Sequence, residues 1–520
     1  MTPHASRLPA TGPGAGTARA GLPGLAFMRA GHVRVPGRAC TVAQLPGTVR
    51  QTTGGHLRRC CIARTGAQEV TDVSHTDDSA QAGTGAASGP GPLSRRAFVG
   101  GMAGAAGLGL AACSSGLKGG GSTSTGTIKI GFISPVTGPD AAFATANPFV
   151  LKKVREAFAK GLAIGGKKYT VEIFTADSQS SDSRAAQVAQ QLITQKNVDI
   201  MLTTSAPETV NPVSDQCEAA HVPCIGTIVP WQAWFLGRGG KIGSSAATSS
   251  SFNYTYLYFI GLENEIAAQG PGWKLIPTNK KVGGLWPSDA DGQAFRGAFT
   301  KALPPQGFTL YDPGPYPDGT TDFTSIINKY KAHDVEIVFG CPLPPDFLTF
   351  WKQCNQQGFK PRIAAIAKAL LFPSVVNALG PLGENLVTDA WWTPTVPFKS
   401  SLTGMTAQQY ANEFQASTGQ QWQQPMSFNY AVFEIAAHAL KLAGDPHDHH
   451  AVADAIGKSK GEVMTGKYDF TSGPVKNVSN HPDYMAQWQT SKDPEFMYDL
   501  LIVNNAADPS VPIDAKLLPL

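Results

Sequence analysis

The chain has 520 residues and a formal net charge of +4, a surplus that is local: residues 1–69 carry nine arginines, no lysine and one acidic residue, Glu69. The rest is net acidic, which excludes the basic footprint of a nucleic-acid-binding protein. The part beyond residue 113, roughly 400 residues, exceeds a single core and fits two domains.

Residues 1–93 show no sustained apolar period and read as a disordered leader or as sequence upstream of the true start. Ser94-Arg95-Arg96-Ala97-Phe98-Val99 then opens a run of Gly, Ala, Leu and Met that ends in Leu110-Ala111-Ala112-Cys113. A charged start, an apolar stretch of roughly a dozen residues and small residues before the cut form an export signal, here of the twin-arginine kind over 94–113. Because a signal this far into a chain works poorly, synthesis is expected to start near Val70 or Val73. With cysteine at the cut, Cys113 becomes the expected lipid-modified N-terminus, anchored to the outer face of the cell membrane without spanning it. Residues 114–126, rich in Gly, Ser and Thr, follow as a flexible tether. No later run of eighteen apolar residues offers a second membrane segment.

From there the pattern alternates strand and helix. Ile128–Ile133 reads as a strand, followed by the loop Ser134–Pro139 and a helix from Val150 to Leu162; Tyr169–Phe174 is the next strand. The following helix, from Asp182, sets Ala185, Val188, Ala189, Leu192 and Ile193 on one face. Val198–Leu202, a third helix and the strand Pro223–Gly226 complete one series. A second series begins at Lys281–Trp286 and continues through Val335–Gly340. Two such series predict an α/β protein of two doubly wound, Rossmann-like lobes, with ligands bound at the carboxyl ends of the strands.

Cysteine usage adds one expectation. Cys217 falls in the last turn of the third helix and Cys224 at the start of the next strand, near enough to bridge in an exported protein. Cys341 and Cys354 are expected to be free, and no CxxC spacing suggests zinc.

Ile128-Lys129-Ile130-Gly131 with Pro135-Val136-Thr137-Gly138-Pro139, then the stretches at Lys281–Gly283, Pro317–Ser325 and Thr465–Phe470, occur in an order that resembles the branched-chain amino-acid receptors among the type I periplasmic binding proteins. The resemblance covers nearly all of residues 127–500. It implies two lobes joined by crossing segments, 127–255 with 394–460 and 256–393 with 461–520. It also implies closure on a small ligand at the hinge, and delivery to the permease and ATPase subunits of an ABC importer.

The same resemblance carries a pocket. In the family a Ser/Thr-rich turn opening the third helix holds the ligand carboxylate; here that turn is Thr203–Thr209, with Thr204, Ser205 and Glu208. Ser205 followed by Pro207 is also plain helix-start chemistry, with Ser205 as the N-cap, and free amides at a helix start attract an anion. Thr227 matches a second hydroxyl position and Phe143 the aromatic that packs on the ligand. Where the family presents an acidic residue to the ligand's ammonium group, this chain reads Ala367-Lys368-Ala369, which disfavours an α-amino acid and suits an anionic ligand; the alternative is a solvated surface lysine. The loop Trp286–Gly292 lacks the family's Tyr-Gly pair and offers Asp289 and Asp291 to an amine. Their spacing imitates a calcium loop, but the twelfth position is Thr300, not Glu. Trp231, Trp286 and Trp391 belong to tryptophan clusters at strand ends, where they are either core or a stacking surface for a flat, apolar ligand.

Enzyme motifs are lacking: no GxSxG, P-loop, HExxH or well-placed GxGxxG is present. The histidines His447, His449 and His450 read as a turn, and no cofactor is expected. Two functions remain: a lipid-anchored solute receptor of an importer, for a small aromatic or apolar carboxylate or for a branched-chain amino acid, and a ligand-sensing ectodomain of the same fold.

Overall fold

The computed structural model describes residues 125–242 and 252–520. The leader, the export signal, Cys113 and most of the tether lie outside the described residues.

The first sheet begins with β1 (Gly126–Ser134), β2 (Leu162–Ile164), β3 (Lys167–Asp177), β4 (Ile200–Thr204), β5 (Cys224–Thr227) and β6 (Thr255–Phe259). The second begins with β7 (Lys281–Leu285), β8 (Thr309–Tyr311), β9 (Ile337–Gly340), β10 (Ile363–Ile366) and β11 (Val387–Ala390). A hairpin of β12 (Lys460–Val463) and β13 (Gly466–Asp469) precedes β14 (Val478–Asn480), β15 (Tyr484–Thr490) and β16 (Tyr498–Asn504). The sheet orders are β14-β6-β5-β4-β1-β3-β2 and β16-β15-β11-β10-β9-β7-β8. Parallel pairing dominates both; among the described residues the antiparallel pairs are β2–β3 in the first sheet and β11–β15 and β15–β16 in the second. This is the α/β, two-lobed, doubly wound architecture that the strand–helix alternation predicts.

Burial explains why the strand signal was strong. Every residue of β4, β5, β6, β9, β10 and β11 is buried, as expected for parallel strands covered by helices on both faces. Beneath the first sheet runs the long helix Pro425–Ala443, buried along most of its length, with Phe433 packed on Phe132 of β1. Among the described residues no helix is long and apolar enough to cross a membrane.

The chain passes between lobes three times: after Phe259, after Ala390, and between Asn480 and Tyr484. The lobe boundaries therefore differ from the sequence-derived ones. β6 lies wholly in the first lobe, and the hairpin and β14 return to that lobe before the last crossing. Residues 461–480 had been expected in the second lobe because their short strands carry no local sign of which sheet edge they join.

Candidate functional site

A narrow cavity of about 40 Å³ lies between the lobes, where the ends of the strands face each other. Phe143, Ala206 and Ile228 line it from the first lobe; Glu265, Asp291, Phe295, Cys341, Lys368 and Asp389 line it from the second; Phe259, Ile260 and Trp391 come from the crossings. Such a volume admits about three waters, so a ligand of amino-acid size needs the lobes to part. Phe143 reaches across to Phe372 in an edge-to-face contact with centroids 4.9 Å apart.

The first lobe positions Phe143 through Asp177. Its carboxylate accepts from the backbone N–H groups of Val136 (2.9 Å), Thr137 (3.2 Å) and Gln179 (2.8 Å) and from the Thr137 hydroxyl (2.7 Å). After burial, which opposes it, these donors hold Asp177 below the usual carboxylate range. They also fasten the loop after β1 that carries Phe143.

The helix Pro207–Ala220 aims its N-terminus toward the cleft, but its cap is not the serine. Ser205 and Ala206 both adopt positive φ (73° and 64°), and Ala206 occupies the N-cap position. The Ser205 and Ala206 amides are drawn to the Thr227 and Ile228 carbonyls, 3.2 and 3.1 Å away, which turns the backbone one residue later than the Ser-x-Pro pattern implies. The Thr204 hydroxyl donates to Asn429 Oδ1 (2.6 Å), and Thr227 donates to the Tyr258 carbonyl (2.7 Å). Both side chains are fully buried. The two threonines expected to bind ligand are therefore engaged within the lobe. At the helix start Pro207 has no N–H, the Thr209 and Val210 amides donate to the Ala206 carbonyl, and Glu208 places an acidic side chain in the first turn. The chain thus supplies its own acid at the helix start, where an anion would otherwise be attracted.

Lys368 is brought in by strain. At φ 63°, ψ −65°, with Ala369 N–H donating to the Ala367 carbonyl at 2.6 Å, it is the central residue of a tight positive-φ γ-turn after β10. Such turns are rare and concentrate at functional sites. The ammonium group is 7 % exposed and pairs with Asp289 at 2.9 Å and Asp291 at 3.0 Å. Asp289 is also the N-cap of the helix Ala290–Ala302, its other oxygen accepting from Gly292 N–H at 2.6 Å. That position requires glycine, since a Cβ there would sit 2.0 Å from the Pro287 carbonyl oxygen.

Lys368 is thus neither a solvated surface charge nor a free cation awaiting an anion. Burial works against its charge, but Asp289 and Asp291, then Asp140 and Glu208, hold its pKa well above the usual value. Burial pushes Glu208 up to about 8, with Asp291 and Asp289 reinforcing and Lys368 opposing. The same order of causes, burial first and then Lys368 opposing Asp289, lifts Asp291 to about 6. Asp389, whose carboxylate accepts the Trp391 indole N–H, is raised to about 6, chiefly by burial.

Of the tryptophans, only Trp391 faces the cavity, edge-on to Phe259 with centroids 4.6 Å apart. Trp286 is fully buried in the second lobe against Phe299 and Phe339. Trp231 packs with Phe235 and donates its indole N–H to Glu263 at 2.7 Å. Both are core or lobe-packing residues, not stacking surfaces. Cys217 and Cys224 are buried free thiols, with no bridge between them. The sequence reading missed Asp140, Glu265, Asp389 and Phe259. No local signal separates Glu265 from Glu263 two positions earlier in the same helix, and the others are ordinary in sequence.

Comparison with known proteins agrees with this architecture. The family model described as periplasmic binding protein matches residues 127–493, so the chain belongs to that family, within its type I, Leu/Ile/Val-binding branch. Its members are the solute-binding proteins of ABC transporters and not enzymes, and they work outside the cytoplasm. A Leu/Ile/Val-binding protein homolog from Brucella abortus is 23 % identical over 382 residues, spanning 70 % of this chain and 89 % of the relative. The fold matches a leucine-binding protein from Thermotoga maritima at TM-score 0.59 and 15 % identity, over 73 % of this chain and 99 % of that one. A Rhodopseudomonas palustris solute-binding protein in complex with 4-hydroxybenzoate matches at TM-score 0.58 and 17 % identity, covering 76 % and 98 %.

Proposed function

We propose that this protein is the receptor of an ABC importer, tethered through a lipid on Cys113, and that its cleft takes a small, mostly apolar ligand anchored by a positively charged group instead of a carboxylate. The observation that carries this reading is the pairing of Lys368, the one basic residue among the described residues lining the cavity, with Asp289 and Asp291. Isoleucine and 4-hydroxybenzoate, bound by two of the fold's neighbours, both carry carboxylates. In this chain Glu208 places an acidic side chain in the first turn of the helix that would receive one. The anionic-ligand expectation rested on an unpaired Lys368, and that support is gone. Phe143, Phe259, Phe295 and Trp391 supply apolar walls, and delivery to a permease follows from the family.

Thermal unfolding of the full chain against a panel of alkyl and aryl amines, the matching carboxylates and branched-chain amino acids tests the reading, since a ligand specific for the fold raises the midpoint. Amines are expected to raise it and carboxylates without an amine to leave it unchanged. A rise with the carboxylates alone overturns the ligand class and leaves the receptor role standing.

A further inference from the structure

One carboxyl in the cavity has no partner. Glu265 lies in the first turns of the helix Leu262–Gly272, is 0 % exposed, and neither of its oxygens is hydrogen-bonded. Two residues earlier in the same helix, Glu263 receives the indole N–H of Trp231, the amide of Gln232 at 2.5 Å and the amide of Asn480. A buried carboxyl left unsatisfied is costly, and such groups are rare enough to need a reason. Glu265 shares the cavity lining with Asp291, Asp389, Phe259 and Trp391. One oxygen of Asp291 likewise lacks a partner, as does one of Asp140 on the first lobe. With Glu265 and Asp291 the second lobe therefore presents bare carboxyl oxygens to a cavity lined by aromatic rings.

Resting on the receptor reading above, we infer that Glu265 is the residue that recognises the ligand's charge: an organic ammonium group, its hydrocarbon body against Trp391 and Phe259, replaces the proton that Glu265 carries in the fold. The chemistry balances simply. The carboxyl O–H bond breaks, the proton leaves to solvent, and the ammonium ion takes its place beside the carboxylate, so that one proton is released for each cation bound.

The surroundings support protonation before binding. Burial raises the Glu265 pKa well above the ordinary value, and the neighbouring charges of Asp389, Asp483 and Asp291 raise it further. Lys368 is taken up by its own pairs with Asp289 and Asp291. An incoming cation reverses the balance, because an opposite charge at close range favours the ionised form. The aromatic rings add attraction for an alkylammonium group through their faces. A metal ion fits less well: among the described residues no three His, Cys, Asp or Glu side chains are arranged to hold one.

The test is isothermal titration of the full chain with phenethylamine, isopentylamine, phenylacetate and isoleucine at pH 7, repeated in two buffers of different ionisation enthalpy. Phenethylamine or isopentylamine is expected to bind with about one proton released. Glu265→Gln, which keeps the shape of the protonated acid, is expected to weaken amine binding at least tenfold and abolish the proton release while unfolding cooperatively. Unchanged amine affinity in Glu265→Gln, or binding without proton release, overturns the role of Glu265 and leaves the ligand class intact. Binding of phenylacetate or isoleucine with no response to either amine overturns both.

Discussion

The two faces of the cleft differ in what they do with their polar groups. On the first lobe the two hydroxyls expected to meet the ligand are engaged from within, Thr204 by Asn429 and Thr227 by the Tyr258 carbonyl, and only the Thr203 hydroxyl and one oxygen of Asp140 among its described strand-end groups lack partners. On the second lobe one lysine serves two aspartates, and Glu265 and part of Asp291 remain unpaired. A closed hydrogen-bond network leaves little for a ligand to gain, whereas an unsatisfied buried carboxyl gains a great deal from a cation. Recognition of charge therefore belongs to the second lobe, and the first contributes mainly apolar cover through Phe143 and Ile228.

The largest effect that would break this contrast comes from Lys368→Met. Removing the cation leaves Asp289 and Asp291 facing each other in a buried site, and breaking a buried pair in this way costs about 3–5 kcal/mol. Urea denaturation at pH 7 measures it. A loss under 1 kcal/mol would mean that water reaches the cluster and that the second lobe is no more demanding than the first.

Next in size is the dependence of stability on pH. A carboxyl whose pKa is raised by folding binds its proton more tightly in the native state, so its contribution is complete below the unfolded value and declines as pH rises through the folded one. Asp291 and Asp389, at about 6, and Glu208, at about 8, place that decline between roughly pH 4 and pH 8. Glu265→Gln removes one such group and is expected to stabilise the protein by about 1–3 kcal/mol at pH 8 while changing little at pH 4. Guanidinium titrations at the two pH values check the sign. Because the same acids must ionise to attract a cation, amine affinity is expected to climb over pH 6–8, opposite to the stability trend.

A smaller effect sharpens the comparison from the other side. Glu208→Ser removes the acidic side chain from the helix start, where a ligand carboxylate is worth about 1 kcal/mol, so isoleucine binding in calorimetry should strengthen about fivefold. No gain would show that the helix start does not reach the ligand. Smallest is Thr227→Val, which removes the hydroxyl that donates to the Tyr258 carbonyl. It should cost about 1 kcal/mol of stability and leave amine affinity untouched; a tenfold loss of affinity would return Thr227 to the binding surface.

Much of the architecture was legible before any coordinates, because it rests on local physics. Continuous apolar runs such as Ile200–Leu202 and Ile337–Phe339, separated by amphipathic helices, demand a covered parallel sheet wherever they occur. The motif order that identifies the family is likewise a property of the linear chain. Phe143 and Lys368 were found by following that order and Trp391 from its tryptophan cluster at a strand end, and all three line the cavity. Trp231 and Trp286 were not separable from Trp391 by sequence: each follows a strand, and only the packing decides which indole points inward to a core and which to the cleft.

What the sequence determined by itself is the pair of doubly wound lobes and the positions of their strand ends, since periodicity and turn chemistry act over a few residues. What only the tertiary structure decided is the charge of the site. Lys368 meets Asp289 across 79 positions of sequence, and Glu265 meets Asp389 only because the first and second crossings converge. Electrostatic energy depends on separation in space and on exclusion of water, and neither is written in the spacing of residues along the chain.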